Sequence, residues 1–328
     1  MRIALVGKGG SGKTTLAALL ARRIASAGGG HPLLAIDADI NQHLAVAVGA
    51  TPRQAASLPS LAEAVDLVKG YLRGDNPRIP DPADMVKTTP PGRGSRLLRL
   101  AEPSPVWDAA VREIHGVPLL ATGELVGDDA DERRIGTSCY HGKTGAVELV
   151  LNHLVDGPRE YVVVDMTAGA DAFASGLFTR FDLTVVVCEP TLRSVGVWEQ
   201  YTRYARDFGI RIAVAGNKVE DDGDVAFLRH HVGDDLVTWL GRSAVVRAAE
   251  RGEARPLEEL AATDLAALDA LRDALDACRR DWSRYIEHMH AVHRRNAAAW
   301  VDDATESRLL AQIDPDLDLA AAASGVPA

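Results

Sequence analysis

Nine residues near the start of the chain constrain its fold more than any others. Ile3-Ala4-Leu5-Val6 is a short apolar run, and Gly7-Lys8-Gly9-Gly10-Ser11-Gly12-Lys13-Thr14-Thr15 follows it. Beyond them Leu16, Leu19, Leu20 and Ile24 recur at helical spacing until Gly28-Gly29-Gly30. The apolar run is too short for a buried helix and reads as a strand; the segment after the loop reads as a helix. Leu33-Leu34-Ala35-Ile36 is the next strand. The whole is a strand, glycine loop, helix, strand unit, right-handed by default.

The spacing G-x-x-x-x-G-K-T fits Gly7 through Thr14, with the flanking elements that such a loop requires. Glycines let the backbone curl, so that the N–H groups of Gly9, Gly10, Ser11, Gly12, Lys13 and Thr14 can converge on a phosphate. Lys13 then meets the outer phosphates and the Thr14 hydroxyl meets Mg²⁺. Lys8 is a second lysine in the loop. On the pattern alone it is either a phosphate ligand or a solvated surface lysine.

Asp37 and Asp39 end the second strand, on the edge where ligands bind in open α/β sheets. Beside a phosphate site, one can hold the water shell of Mg²⁺ and the other can orient an attacking water. The alternative is helix capping before residues 40–48. Asp165, after the apolar Tyr161-Val162-Val163-Val164, suits a second Mg²⁺-side carboxylate or, again, a cap.

Further strands are expected at Val117–Leu120, Tyr161–Asp165, Leu183–Cys188 and Ile212–Ala215, with helices over about 61–73, from about 142 to 154, and over 195–208. Continuous apolar strands alternating with helices predict a mostly parallel α/β sheet covered by helices on both faces. Seven of the 16 prolines fall between Pro77 and Pro105, which marks an irregular excursion there. We expect a nucleotide-binding domain over 1–256, with 51–115 as an insertion, and a C-terminal helical extension over 257–328.

Hydrophobic residues at 47% and charged ones at 25% exclude a disordered chain. A formal charge of −10 argues against a nucleic-acid or anionic-membrane protein, since both need a basic footprint. Three scattered cysteines, Cys139, Cys188 and Cys278, make no disulfide framework. No signal peptide and no long apolar span are evident, so the expected location is cytoplasmic.

These residues resemble a known family. Two lysines in K-G-G-x-G-K-T-T match the deviant Walker A of the MinD/ParA/nitrogenase iron protein group of P-loop ATPases, and the chain looks most like the carbon monoxide dehydrogenase maturation (CooC-like) ATPases. Lys8 to Thr15, Asp37-Ala38-Asp39 with Asn41, Val164 to Gly169, Glu189 to Val195, and Gly216-Asn217-Lys218 carry the resemblance. It implies an ATP-dependent homodimer in which Lys8 crosses to the partner's phosphates. It implies that Asp39 activates water, that Thr14, Asp37 and Asp165 serve Mg²⁺, and that Asn217 reads adenine, with Lys218, Glu189 and Pro190 also at the nucleotide. Hydrolysis would reopen the dimer and so drive the maturation or regulation of an unidentified client protein. Asn217-Lys218-Val219-Glu220 departs from the guanine-selective pattern at its last residue.

CooC-like proteins carry a Cys-x-Cys pair ahead of a helix, where two copies meet on one metal. Here the matching residues are Cys139-Tyr140-His141. Two subunits would offer Cys₂His₂, a set suited to Zn²⁺ or Ni²⁺ at the dimer interface; the alternative is packing. His288, His290 and His293 read as a solvated helix face, Cys188 as a small core residue, and Cys278 as a thiol without a partner. A rival function is a positioning or partition ATPase that binds a surface or DNA. An electron donor would need a second cysteine of the right placement, and a small-molecule kinase would need an acceptor pocket.

Overall fold

The computed structural model describes residues 1–39, 41–123, 140–168, 176–251, 253, 255–299 and 303–323, leaving out the side chains of 140–144. Its centre is an eight-stranded sheet. The strands are β1 Arg2–Gly7, β2 Leu33–Ala38, β3 Val111–Ile114, β4 Val117–Ala121, β5 Tyr161–Met166, β6 Leu183–Cys188, β7 Ile212–Val219 and β8 Leu236–Gly241. They lie in the order β3-β4-β2-β5-β1-β6-β7-β8. Only β3 runs antiparallel, hairpinned to β4 at the edge; the other pairings are parallel. The apolar runs predict the six strands β1, β2, β4, β5, β6 and β7 and the parallel sheet they form, but not the two edge strands β3 and β8.

Alternation along each strand sorts side chains between two cores. Ile3 and Leu5 of β1 pack on one face with the Lys13–Ser26 helix, while Ala4 and Val6 pack on the other with the Tyr140–His153 helix. The Ala262–Asp276 helix joins the first face through Leu268, Leu271 and Leu275, so residues beyond 256 share the core of the strands. The Val65–Arg73 helix buries Val68 and Leu72 but leaves Leu67 exposed.

The proline-rich excursion is irregular but well tied. Leu98 bridges to Leu154, with its N–H donating to the His153 carbonyl at 2.8 Å. A third, smaller core joins Val155 to Tyr285, Met289, Leu317 and Leu319. Beneath it lies a buried ionic knot. Asp156 accepts from Arg2 Nε at 2.7 Å and from Arg280 at 2.9 and 2.8 Å, and Arg280 also reaches Asp182 at 2.6 Å. Residues at opposite ends of the sequence thus lock the start of β1.

One reading needs correction. His290 and His293 are buried, not solvated. His293 Nδ1 meets the Thr88 hydroxyl at 2.9 Å and Nε2 meets the Leu309 carbonyl at 2.8 Å, so segments far away in sequence supply its cover. Cys278 is buried beside Arg211, whose guanidinium lies 3.5 Å from the sulfur. Cys188 is the core residue expected, fully buried, with burial pushing its thiol up to about 12. Among the described residues no helix is long and apolar enough to cross a membrane.

Candidate nucleotide site

The loop between β1 and the Lys13–Ser26 helix is shaped by its glycines. Gly7, Gly10 and Gly12 have φ of 144°, 78° and 96°, a region that side chains resist. A Cβ on Gly7 would stand 2.7 Å from the Val187 carbonyl oxygen on β6, and one on Gly12 would stand 2.2 Å from Asn217 Nδ2. Gly12 also serves as the helix N-cap, which aims the unspent N–H groups of the first turn into the loop. Lys13 is buried, its Nζ 3.5 Å from the Lys8 carbonyl oxygen.

The sheet brings the distant residues to this loop. Asp37 and Asp165 are register partners on β2 and β5, and Leu5 of β1 is the other neighbour of Asp165. Asp37 accepts from the Leu44 N–H at 2.9 Å and the Asp39 N–H at 3.2 Å. Burial pushes its carboxyl up to about 7, against those two bonds. Asp165 is fully buried, and burial followed by the nearby Asp37 carboxylate raises it well above the carboxylate range. The Thr14 hydroxyl and the Lys13 ammonium oppose that rise. Neither oxygen of Asp165 has a hydrogen-bond partner of normal geometry among the described residues. Asp39 is held by Asn41, whose backbone and side-chain nitrogens lie 2.9 and 3.0 Å from Oδ1.

On the other side, Glu189 follows β6. It pairs with Lys218 at 2.6 Å and with Lys8 at 3.5 Å. Burial works against its charge, but these lysines hold its carboxyl below the usual range. Pro190 turns the chain toward Thr191, which caps the Leu192–Phe208 helix. Gly216 pairs with Trp239 and Val219 with Gly241, so Asn217 and Lys218 form a bulge in β7. Asn217 Nδ2 donates to the Ser11 carbonyl at 2.7 Å, and Lys218 Nζ donates to the Gly10 carbonyl at 2.6 Å. Asn217 is therefore a clamp on the loop in this structure.

Lys8, Gly9 to Thr15, Asp37, Asp39, Asp165, Glu189, Asn217 and Lys218 thus share one edge of the sheet. Cys139, and Gly169 in the Asp165 segment, lie outside the described residues, as does the side chain of His141. A cleft of about 280 Å³ opens beside the loop, from Thr15 and Asn217 to Arg242, Ser243 and Arg247. Sequence reading missed these three as site residues. The available signal was Ser243 after β8, an N-cap that accepts from the Val245 and Val246 N–H groups and so turns the next helix toward the loop.

The donor set fits Mg²⁺ in a particular way. Among the described residues no three His, Cys, Asp or Glu side chains form a metal-binding group. Mg²⁺ usually keeps several waters and takes one or two carboxylates plus substrate phosphates. The unpartnered oxygens of Asp165 beside Thr14 suit such an ion, whose charge would lower both carboxyls.

A glycine loop between strand and helix, with buried carboxylates on adjoining strand ends, defines a nucleotide-binding protein of the P-loop class. The chain belongs to the CbiA family, the CobQ/CobB/MinD/ParA nucleotide-binding domain, whose family model matches residues 3–311. It is 27% identical over 253 residues to the carbon monoxide dehydrogenase accessory protein CooC of Rhodospirillum rubrum, covering 76% of this chain and 87% of that one. An uncharacterized ATP-binding protein of Methanocaldococcus jannaschii is 26% identical over 238 residues, 72% of this chain and 81% of that one. The septum site-determining protein MinD of Pyrococcus horikoshii, solved with Mg-ADP, superposes with a TM-score of 0.52 at 14% identity, over 84% of this chain and 96% of that one.

Proposed function

We propose that this protein is a Mg-ATP-dependent switch ATPase that pairs face to face with a second copy. The observation that supports this best is the Asp165 carboxylate, fully buried and unpartnered beside Thr14 and Lys13 at the phosphate loop. Lys13 binds the outer phosphates. The bound Mg²⁺ supplies charge neutralisation at those phosphates. Thr14, Asp37 and Asp165 are the residues that would hold it. Asp39, restrained by Asn41, orients the attacking water. Lys8, at the loop's outer rim, adds positive charge to the partner's phosphates, as an arginine finger does. The cleft at Asn217 takes the adenine.

Similarity to the CooC accessory protein supports a maturation or regulatory role toward a client protein. A shared Zn²⁺ or Ni²⁺ at Cys139 and His141 of two protomers belongs to the same reading and rests on the sequence alternation. Partition-type binding to DNA or a surface shares only the fold.

The test is a pair of variants. Lys13→Ala is expected to lose ATP binding. Asp39→Ala is expected to bind ATP, fail to hydrolyse it and accumulate as a dimer on a sizing column. A fully active Asp39→Ala enzyme would overturn the mechanism. Metal analysis of the trapped dimer tests the metal: about half an ion per chain, lost in Cys139→Ala, supports a shared site. Salt-sensitive retention on DNA would favour the partition reading.

A further inference from the structure

We propose that Glu189 is a positioning residue that holds Lys8 within its own protomer and so sets the ATP level at which two copies pair. The proposal rests on the reading that Lys8 acts across the dimer.

The placement follows from the sheet. Gly7 on β1 and Val187 on β6 are register partners, so Lys8, one residue past Gly7, and Glu189, two past Val187, leave the sheet at the same edge. Lys8 and Glu189 are thereby neighbours at the mouth of the loop. Lys218 fixes the carboxylate between them. Its Nζ donates to Glu189 Oε1 and to the Gly10 carbonyl, each at 2.6 Å. Reaching both takes a lysine at φ 59°, a backbone region where non-glycine residues are uncommon. Glu189 is thus held at a set distance from the loop, whichever way Lys8 points.

The two ion pairs differ in kind. Both lysines are a little over a third exposed, but Lys218 makes a 2.6 Å contact and a second bond to the Gly10 carbonyl, whereas Lys8 sits at 3.5 Å on the other carboxylate oxygen. The Lys8 pair is the releasable one. When two copies pair, Lys8 exchanges the long contact to the Glu189 carboxylate for a phosphate oxygen of the other protomer. Both are anionic acceptors, so Lys8 moves between equivalent partners. Glu189 competes with the partner's nucleotide for it.

The experiment compares Glu189→Gln, Glu189→Asp and the parent chain, all in the Asp39→Ala background, with Mg-ATP as ligand. Two quantities are read: the ATP concentration for half-maximal dimer by sedimentation velocity, and ATP affinity of the monomer at low protein concentration. Glu189→Gln is expected to lower the first about two- to fivefold, the scale of a part-exposed ion pair, and by more than it changes monomer affinity. Glu189→Asp is expected to restore part of the difference. With Lys8→Ala added, Glu189→Gln is expected to have no effect on dimer formation. An unchanged or higher threshold in Glu189→Gln overturns the proposal. So does a change equal in size with and without Lys8, which would leave Glu189 as a brace for Lys218 alone. If the parent forms no dimer at saturating ATP, the reading beneath the proposal fails and the proposal falls with it. If the parent dimerises and only the Glu189 variants behave unexpectedly, that reading stands.

Discussion

Asp37 and Asp165 face each other as register partners on adjacent parallel strands, and both are buried. Burial favours a retained proton on both, and the Asp37 carboxylate adds to that effect on Asp165. Their protons come off as a coupled pair.

Mg-ATP binding should therefore release protons. Asp37 sits at about 7 and Asp165 is raised well above its ordinary range, so toward acid pH these carboxyls hold protons that the cation must displace. Affinity should fall as pH drops through about 7, by up to about tenfold per unit for each proton exchanged. Calorimetric titration at pH 6.5 in two buffers of different ionisation heat checks this. Asp37→Asn should reduce the proton count, and equal heats in both buffers would contradict the coupling.

The knot under β1 should be costly to cut from the acidic side. Asp156→Ala leaves Arg2 buried without its carboxylate and deprives Arg280 of one of two. Losing one partner of a buried pair costs about 3–5 kcal/mol. Burial would raise the Asp156 carboxyl, but Arg2, Arg280 and the terminal amine hold it well below the usual range. Its contribution is then complete above the unfolded value near ~4 and is lost only as pH falls through the lower folded value. The urea midpoint of the variant at pH 7 and that of the parent between pH 7 and 4 test both statements.

Gly12→Ala should damage the loop by two routes, a positive φ and a clash with Asn217. Asn217→Ala in the same chain removes the clash but not the strain of about 1–2 kcal/mol. The double variant should recover part of the lost ATP affinity. No recovery would mean that the backbone strain alone decides the outcome.

Acid should loosen the C-terminal helices before the sheet. His290 is pushed down to about 4, chiefly by burial, and His293 is lowered for the same reason. Unfolded, both bind protons near ~6.5, so stability falls as pH drops from there toward about 4. Hydrogen exchange of the Trp282–Ala297 helix against that of β5, followed from pH 7 to 4.5, should show the helix opening first.

The central strands were legible because burial on both faces writes continuous apolar runs. The edges were not. β3 pairs on one side only and leaves Arg112 and Glu113 exposed, and β8 carries an exposed Trp239. β3 has charged residues in mid-strand, and the apolar residues of β8 are interrupted by Thr238 and mostly part-buried or exposed. The loop and its carboxylates were legible through spacing and position at strand ends. The Glu189 contacts with Lys8 and Lys218 were not, since strand register is invisible in the chain. The histidines were misread for a related reason: Thr88 and the Leu309 carbonyl, which cover His293, lie far off in sequence.

The Arg2–Asp156–Arg280 knot also imposes an order on synthesis. β1 leaves the ribosome before its sheet neighbours β5 and β6, and its fastening at Arg2 includes Arg280 and Tyr285, later still. At about 5–20 residues per second, the nascent phosphate loop waits tens of seconds for its scaffold. A growing chain therefore carries its nucleotide loop well before the segments that fasten β1 have been made.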